Sequence, residues 1–282
     1  LTIRQAYLQN VALHDVNFAR AHFEASVFTN TFGTILSVTF RLDGKLFAAG
    51  TATGEIWMYQ VPEGIPLFTS TGHTDGVWSV IFSANKYILV SSSDDHTIRL
   101  WDISTGRCIK TLLGHTNRVR SVALKPDDTV LASGSDDGTI RLWDISTGAC
   151  MKTLQGHADR IWSVAFNRDG TVLASGSTDG TIHLWDANTG HYLKKLEGHT
   201  SGVRSIAFNS DGAVLASGSD DQTIHLWDVR TGHNLNTLCG HTNSVWSVAF
   251  SPAGQILASG SEDQTIRLWD IHSSLCLIVL QN

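Results

Sequence analysis

The residues in this chain best suited to chemistry come as three types, histidine, serine and aspartate. The stretch SGSDDGTIRLWD, residues 133–144, supplies serine and aspartate, and His115 lies shortly upstream. A serine nucleophile, an imidazole base and a carboxylate that orients it are what a hydrolase of the triad type requires. The same stretch recurs almost unchanged along the chain, however, and five duplicate active sites in one polypeptide would be hard to explain. A nucleophilic serine also needs an exposed, activated hydroxyl beside an oxyanion hole. Here each serine sits in the middle of a segment that reads as a β-strand. No catalytic residue is therefore assigned.

The elements that must position these residues follow from a 42-residue period. ILSVTF begins at Ile35, VWSVIF at Val77, VRSVAL at Val119, IWSVAF at Ile161, VRSIAF at Val203 and VWSVAF at Val245. Gly-His falls at 72–73, 114–115, 156–157, 198–199 and 240–241, and Trp-Asp at 101–102, 143–144, 185–186, 227–228 and 269–270. The units starting at His115 and His157 match at 25 of 42 positions, which implies duplication of a single structural unit. Within a unit, RVRSVAL alternates apolar and polar residues, KPDD turns, TVLASGS makes a second strand and DDG a tight turn. TIRLWDI and CMKTLQ add a third and a fourth strand. Each unit is thus an antiparallel four-stranded meander, apolar on both faces, and must be sandwiched between copies of itself.

Gly-His near the start of a unit, Trp-Asp near its end and this length resemble the WD-repeat (WD40) family of β-propellers. The resemblance covers residues 31–282 and implies an all-β propeller of four-stranded blades. Its units are 31–72, 73–114, 115–156, 157–198, 199–240 and 241–282, preceded by a lead-in of residues 1–30. It further implies a structural tetrad in each of five units, in which the Trp N–H, Ser hydroxyl, His ring and Asp carboxylate form a hydrogen-bonded chain. The sets are His73, Ser91, Asp95 and Trp101; His115, Ser133, Asp137 and Trp143; His157, Ser175, Asp179 and Trp185; His199, Ser217, Asp221 and Trp227; and His241, Ser259, Asp263 and Trp269. The first unit has Thr31, Ala49, Thr53 and Tyr59 at these positions, so packing alone must hold it, and it is expected to be among the weakest. Six units are visible. The family's usual seven blades leave open whether the ring closes with six, uses the N-terminal segment, or belongs to a seven-bladed parent.

Residues 6–30 follow a period of five instead: AYLQN, VALHD, VNFAR, AHFEA, SVFTN, with centres Leu8, Leu13, Phe18, Phe23 and Phe28. This resembles the pentapeptide-repeat family, which winds into a four-sided right-handed β-helix. The alternative is an irregular lead-in, or an outer strand for the ring from FEASVFTN. A pentapeptide stretch feeding a highly repetitive propeller resembles the C-terminal region of large bacterial, especially cyanobacterial, signalling proteins.

One position of the first strand varies in an ordered way: Leu36, Trp78, Arg120, Trp162, Arg204, Trp246. In WD-repeat proteins this position lies on the top face around the central channel. Near it come Asp94, Asp136, Asp220 and Glu262, and Arg118 and Arg160. Two readings stand together. Arg can stack on Trp and pair with the acids in a self-satisfied ring. Trp and Arg are also the residue types that dominate protein-binding hot spots.

Bulk composition bounds the rest. With 282 residues, 42% hydrophobic, the chain can bury a sizeable core. Only 16% of residues are charged and 25 are glycine, as short strands joined by turns would need. A net charge of −6 offers no basic face for nucleic acid. No apolar run approaches a membrane span, which needs about 18 residues. Cys108, Cys150, Cys239 and Cys276 have neither zinc-site nor disulfide spacing, and are read as free small hydrophobes in a reducing cytoplasm. His183 and His225 stand where other units have Arg99, Arg141 and Arg267. They are expected to be partly exposed strand residues rather than metal ligands, and no cofactor or metal is assigned. The chain starts at Leu1 and is expected to be part of a longer protein. The expectation is a non-enzymatic scaffold that binds a protein or peptide on its top face within a larger bacterial signalling protein. A self-assembling module and an enzyme with a site at the central channel are the alternatives.

Overall fold

The computed structural model describes residues 2–4, 7–9, 22–24, 27–29 and 34–281, apart from 62–63 and 85–86. Four short strands lie near the N-terminus: β1 (Thr2–Arg4), β2 (Tyr7–Gln9), β3 (His22–Glu24) and β4 (Val27–Thr29). They pair in parallel, Thr2 with His22 and Tyr7 with Val27, an offset of twenty residues or four pentads. Leu13, Phe18 and Thr31 lie outside the described residues, as do the side chains of Leu8, Phe23 and Phe28.

The rest forms six blades of four antiparallel strands set around a ring, a six-bladed β-propeller. Blade 1 comprises β5 (Ile35–Phe40), β6 (Leu46–Thr51), β7 (Ile56–Gln60) and β8 (Ile65–Ser70). Blade 2 comprises β9 (Val77–Phe82), β10 (Ile88–Ser93), β11 (Ile98–Asp102) and β12 (Cys108–Leu112). Blade 3 follows with β13 (Val119–Leu124), β14 (Val130–Ser135), β15 (Ile140–Asp144) and β16 (Cys150–Leu154). Blade 4 has β17 (Ile161–Phe166), β18 (Val172–Ser177), β19 (Ile182–Asp186) and β20 (Tyr192–Leu196). Blade 5 has β21 (Val203–Phe208), β22 (Val214–Ser219), β23 (Ile224–Asp228) and β24 (Asn234–Leu238). Blade 6 has β25 (Val245–Phe250), β26 (Ile256–Ser261), β27 (Thr265–Asp270) and β28 (Cys276–Gln281). First strands of successive blades pack on one another, so they line the centre, and the fourth strands lie at the rim.

The core is divided among the gaps between blades. Between blades 3 and 4, Ala132, Ile140, Leu142 and Leu154 meet Ile161, Val164, Leu173 and Trp185. Each blade thus buries both faces, one on either neighbour, as its two-sided apolar pattern demands. The small residues of the second strand permit the close approach: a Cβ on Gly134 would lie 2.6 Å from Ile161 Cγ2.

The first strands share a second device. In every blade the register to the second strand shifts around one residue, and these residues are Leu36, Trp78, Arg120, Trp162, Arg204 and Trp246. A β-bulge re-aims the side chain of its extra residue, so the variable position is the one the sheet turns away from ordinary alternation.

Candidate recognition face

In blades 2 to 6 the four residues picked out by the repeat meet as one chain. In blade 3, Trp143 Nε1–H donates to Ser133 Oγ at 2.8 Å, and Ser133 Oγ lies 2.7 Å from His115 Nε2. His115 Nδ1 lies 2.8 Å from Asp137 Oδ2, whose carboxylate also accepts from the backbone N–H groups of Thr116 and Thr139. Since the carboxylate can only accept, Nδ1 carries the proton, Nε2 accepts from the serine, and the serine accepts from tryptophan. The same contacts link His73, Ser91, Asp95 and Trp101 and His157, Ser175, Asp179 and Trp185. They recur in His199, Ser217, Asp221 and Trp227 and in His241, Ser259, Asp263 and Trp269.

This wiring has the donor order of a hydrolytic triad, yet it does no such chemistry. The five serines are buried, and a lone pair of each is taken by an indole N–H. No substrate can reach them. The carboxylates are tied down in turn. Burial opposes ionisation of Asp95 and Asp137, but hydrogen bonds from His73 and Thr97, and from His115 and Thr139, outweigh it and hold both well below the usual range. Asp179, by the same balance, stands at about 2. The aspartate after each tryptophan serves a turn: Asp102 Oδ1 accepts from the backbone N–H of Ser104 and Thr105 at 2.9 and 2.8 Å. Blade 1 has no tetrad, and there Thr51 Oγ1 and Thr53 Oγ1 bond to each other at 2.9 Å.

His183 and His225 correct the expectation drawn from sequence. They are buried rather than partly exposed, and each lies flat on the tetrad histidine of its own blade. Their strand position points into the interblade layer, where Arg99, Arg141 and Arg267 sit in other blades. His199, Asp221 and His225 together bring three ligand-type atoms within 4.8 Å. Both nitrogens of His199 are already engaged, with Asp221 and Ser217. A metal ion there would have to dismantle the tetrad, so the donor set fits a structural stack better than a metal centre. All four cysteines are free, as expected, and all are exposed. Arg99 Nη1 and Arg141 Nη1 point at Cys108 Sγ and Cys150 Sγ, at 4.0 and 3.7 Å.

On the bulge side, the variable residues form a ladder. The Arg120 guanidinium carbon lies 4.4 Å from the Trp78 ring centroid and 4.7 Å from that of Trp162. Arg204 continues the ladder between Trp162 and Trp246, at 4.3 and 5.5 Å. Arg120 also forms a two-bonded pair with Asp136, at 3.0 and 2.7 Å, and its Nη1 is 3.4 Å from Asp94 Oδ1, a charge contact without hydrogen-bond geometry. Arg204 pairs with Asp220 at 2.8 Å. Trp162 Nε1–H donates to Thr178. Arg120 is buried by this cage, so it is a structural member of the face rather than a free one. Trp246, Arg118, Arg160 and Glu262 are exposed.

Residues 117–271, more than half of the chain, match the family described as WDR3 first beta-propeller domain, and residues 64–102 match the WD domain, G-beta repeat. The chain belongs to the WD-repeat β-propeller family. A WD repeat-containing protein of Nostoc sp. is 48% identical over 81 residues, 29% of this chain and 6% of the relative. The U3 small nucleolar RNA-associated protein 15 homolog of Xenopus tropicalis is 44% identical over 62 residues, 22% of this chain and 12% of the relative. A second Nostoc WD repeat-containing protein is 53% identical over 57 residues, 20% of this chain and 4% of the relative. The chain therefore spans a small part of the length of these relatives. The WD-repeat propeller is a protein-interaction scaffold fold, typically without enzymatic activity. Its tetrads here belong to that scaffold.

Proposed function

We propose that this propeller is a non-enzymatic scaffold that binds a protein or peptide segment on the ladder face, as the interaction part of a larger cytoplasmic bacterial signalling protein. The observation that carries the reading is Trp246. It ends a ladder in which Arg120, Trp162 and Arg204 are each flanked on both sides, and it is 48% exposed. Arg118 and Arg160 add exposed guanidinium groups, and Glu262 an exposed carboxylate. Trp and Arg are the residues that most often anchor protein interfaces. A face held rigid beforehand loses little entropy when it binds.

The wider setting rests on less specific features. The Nostoc relatives and the small share of them that this chain spans support a large bacterial protein. The twenty-residue offset of the N-terminal strand pairs supports the pentapeptide-type coil, whose four sides of five residues give that spacing. The signalling role rests on the likeness of a pentad stretch feeding a repetitive propeller to such proteins. Free cysteines fit a reducing compartment. A relative named for association with a small nucleolar RNA suggests a ribonucleoprotein setting, but the net charge of −6 favours contact with protein over nucleic acid.

The test compares capture from native extract by the wild type, by an Arg118→Glu/Arg160→Glu/Trp246→Ala variant, and by a rim variant, Met151→Glu, all of equal melting temperature. A protein retained by the wild type and the rim variant but lost by the face variant supports the reading. Equal capture by all three would overturn it.

A further inference from the structure

The ladder holds arginine in two places, and the two differ in quality. In blade 2, Trp78 carries the guanidinium of Arg120 at 4.4 Å, and the Asp94 carboxylate stands 3.4 Å from Arg120 Nη1. In blade 4, Trp162 carries Arg204 at 4.3 Å. There Thr178 replaces the acid, and its hydroxyl is taken by the Trp162 N–H. An indole face beside a carboxylate is the better seat for a cation, since it adds a charge partner to the ring contact.

Blade 6 repeats the blade 2 arrangement with Trp246 and Glu262. Both tryptophans are the bulge residue of their first strand. Asp94 and Glu262 are fixed alike, their backbone N–H groups donating to the carbonyls of Gly76 and Ser244 at 2.9 Å. What lies on the two pairs is different. Trp78 and Asp94 are occupied by Arg120. Trp246 is 48% exposed, and Arg204, which pairs with Asp220, stays 5.5 Å from its ring. Glu262 is exposed and makes no ion pair among the described residues. A cavity of about 350 Å³ opens beside them, lined by Trp246, Glu262 and Gln264.

A cation satisfies the ring and the carboxylate together, whereas a neutral or anionic group does not. A guanidinium suits the pair better than an ammonium, because it stacks flat on indole and can bind a carboxylate through two N–H groups. The net charge of −6 draws cationic segments toward the protein. We propose that Trp246 and Glu262 form a subsite for an arginine side chain carried by the partner's peptide segment. The proposal rests on the ladder face being the binding surface and adds what that face selects.

The test titrates the 282-residue chain with N-acetyl-arginine methylamide, and with the citrulline analogue, which keeps the shape and lacks the charge. The readout is the indole N–H resonance of Trp246 in isotope-labelled protein, assigned by its loss in Trp246→Phe. The arginine probe should give a saturable shift at Trp246. Binding should be roughly fivefold weaker or worse for the citrulline probe, and for the arginine probe on Glu262→Gln. Glu262→Asp, which installs the residue of blades 2, 3 and 5, should keep the binding. Three results overturn the proposal: equal affinity for both probes, no effect of Glu262→Gln, or no saturable shift at Trp246. If the ladder-face variant still loses a captured protein that wild type retains, an unmoved Trp246 resonance removes the arginine subsite alone. Equal capture by all variants removes the ladder reading whatever the probe does.

Discussion

His183 lies flat against His157, ring centroids 3.8 Å apart and planes 15° apart. His225 repeats the stack on His199 at 3.9 Å and 20°. Burial, and then the charge of the neighbouring imidazole, push both His183 and His225 down to about 4. Their folded values lie below that of a free imidazole, so the unfolded chain takes up protons first as the pH falls. Stability is whole above about pH 6.5 and is lost between there and pH 4, on the order of 1–3 kcal/mol per histidine. Melting followed across this window should show the loss. The double variant His183→Arg/His225→Arg, which installs the residue of blades 2, 3 and 6, should remove it. A parallel fall in both proteins would exclude the stacks as its source.

Removal of one tetrad hydroxyl strands two partners at once. Ser133→Ala leaves the Trp143 N–H and His115 Nε2 without their bonds inside a buried layer. The expected loss is about 1–3 kcal/mol, read from the denaturant midpoint. An unchanged midpoint would mean that the hydrogen-bonded chain contributes nothing.

Arg120 and Arg204 occupy the same repeat position but should not be equivalent. Arg120 has two close stacks and stands between two carboxylates, whereas the second stack of Arg204 reaches 5.5 Å. Arg120→Ala should cost about 2–4 kcal/mol, because it also leaves Asp136 uncompensated and Asp94 with only the exposed Arg118. Arg204→Ala should cost less. Urea unfolding of the two variants side by side checks the order, and equal losses would refute the cage as drawn.

Glycines at one repeat position divide by environment. Gly218→Ala presses a methyl into Val245, while Gly260→Ala points one into open space. The first should lower the melting midpoint and the second should leave it unchanged or raise it, since alanine restricts the unfolded chain more than glycine does. A loss at both positions would show that Gly260 is in fact covered.

The repeat made the blades legible because period-2 alternation and turn residues recur at fixed offsets, so every strand is read several times over. The tetrads were legible through family likeness, and their polar types in an apolar layer agree with it. His183 and His225 were not, since a polar residue in a strand does not announce that a neighbouring blade covers it. A signal was nevertheless present. Units with arginine at that place carry cysteine nine residues later, as Arg99 with Cys108 and Arg141 with Cys150. Those with histidine carry Tyr192 or Asn234, and these touch the imidazole. Stacking of Arg on Trp and its pairing with the acids was one of the two readings of the variable position, and the ladder has both; the bulge that aims Trp78 and Arg120 at each other was not legible, because alternation alone does not show it. The exposure of Val38 and Ile266 was hidden too, since both are apolar like their buried counterparts.

The division of the core into separate layers makes this ring behave as a row of dominoes rather than one block. Each blade leans only on its neighbours, so order is lost from whichever end is least supported. One end is blade 1, which has neither a tetrad nor a preceding neighbour in packed contact, and the other is blade 6, whose rim strand β28 is exposed throughout. Amide exchange should therefore be slowest in blades 3 and 4 and quicken outward in both directions. The middle of the row holds Arg120 and Trp162, so the part of the ladder held most firmly is also the part farthest from either end.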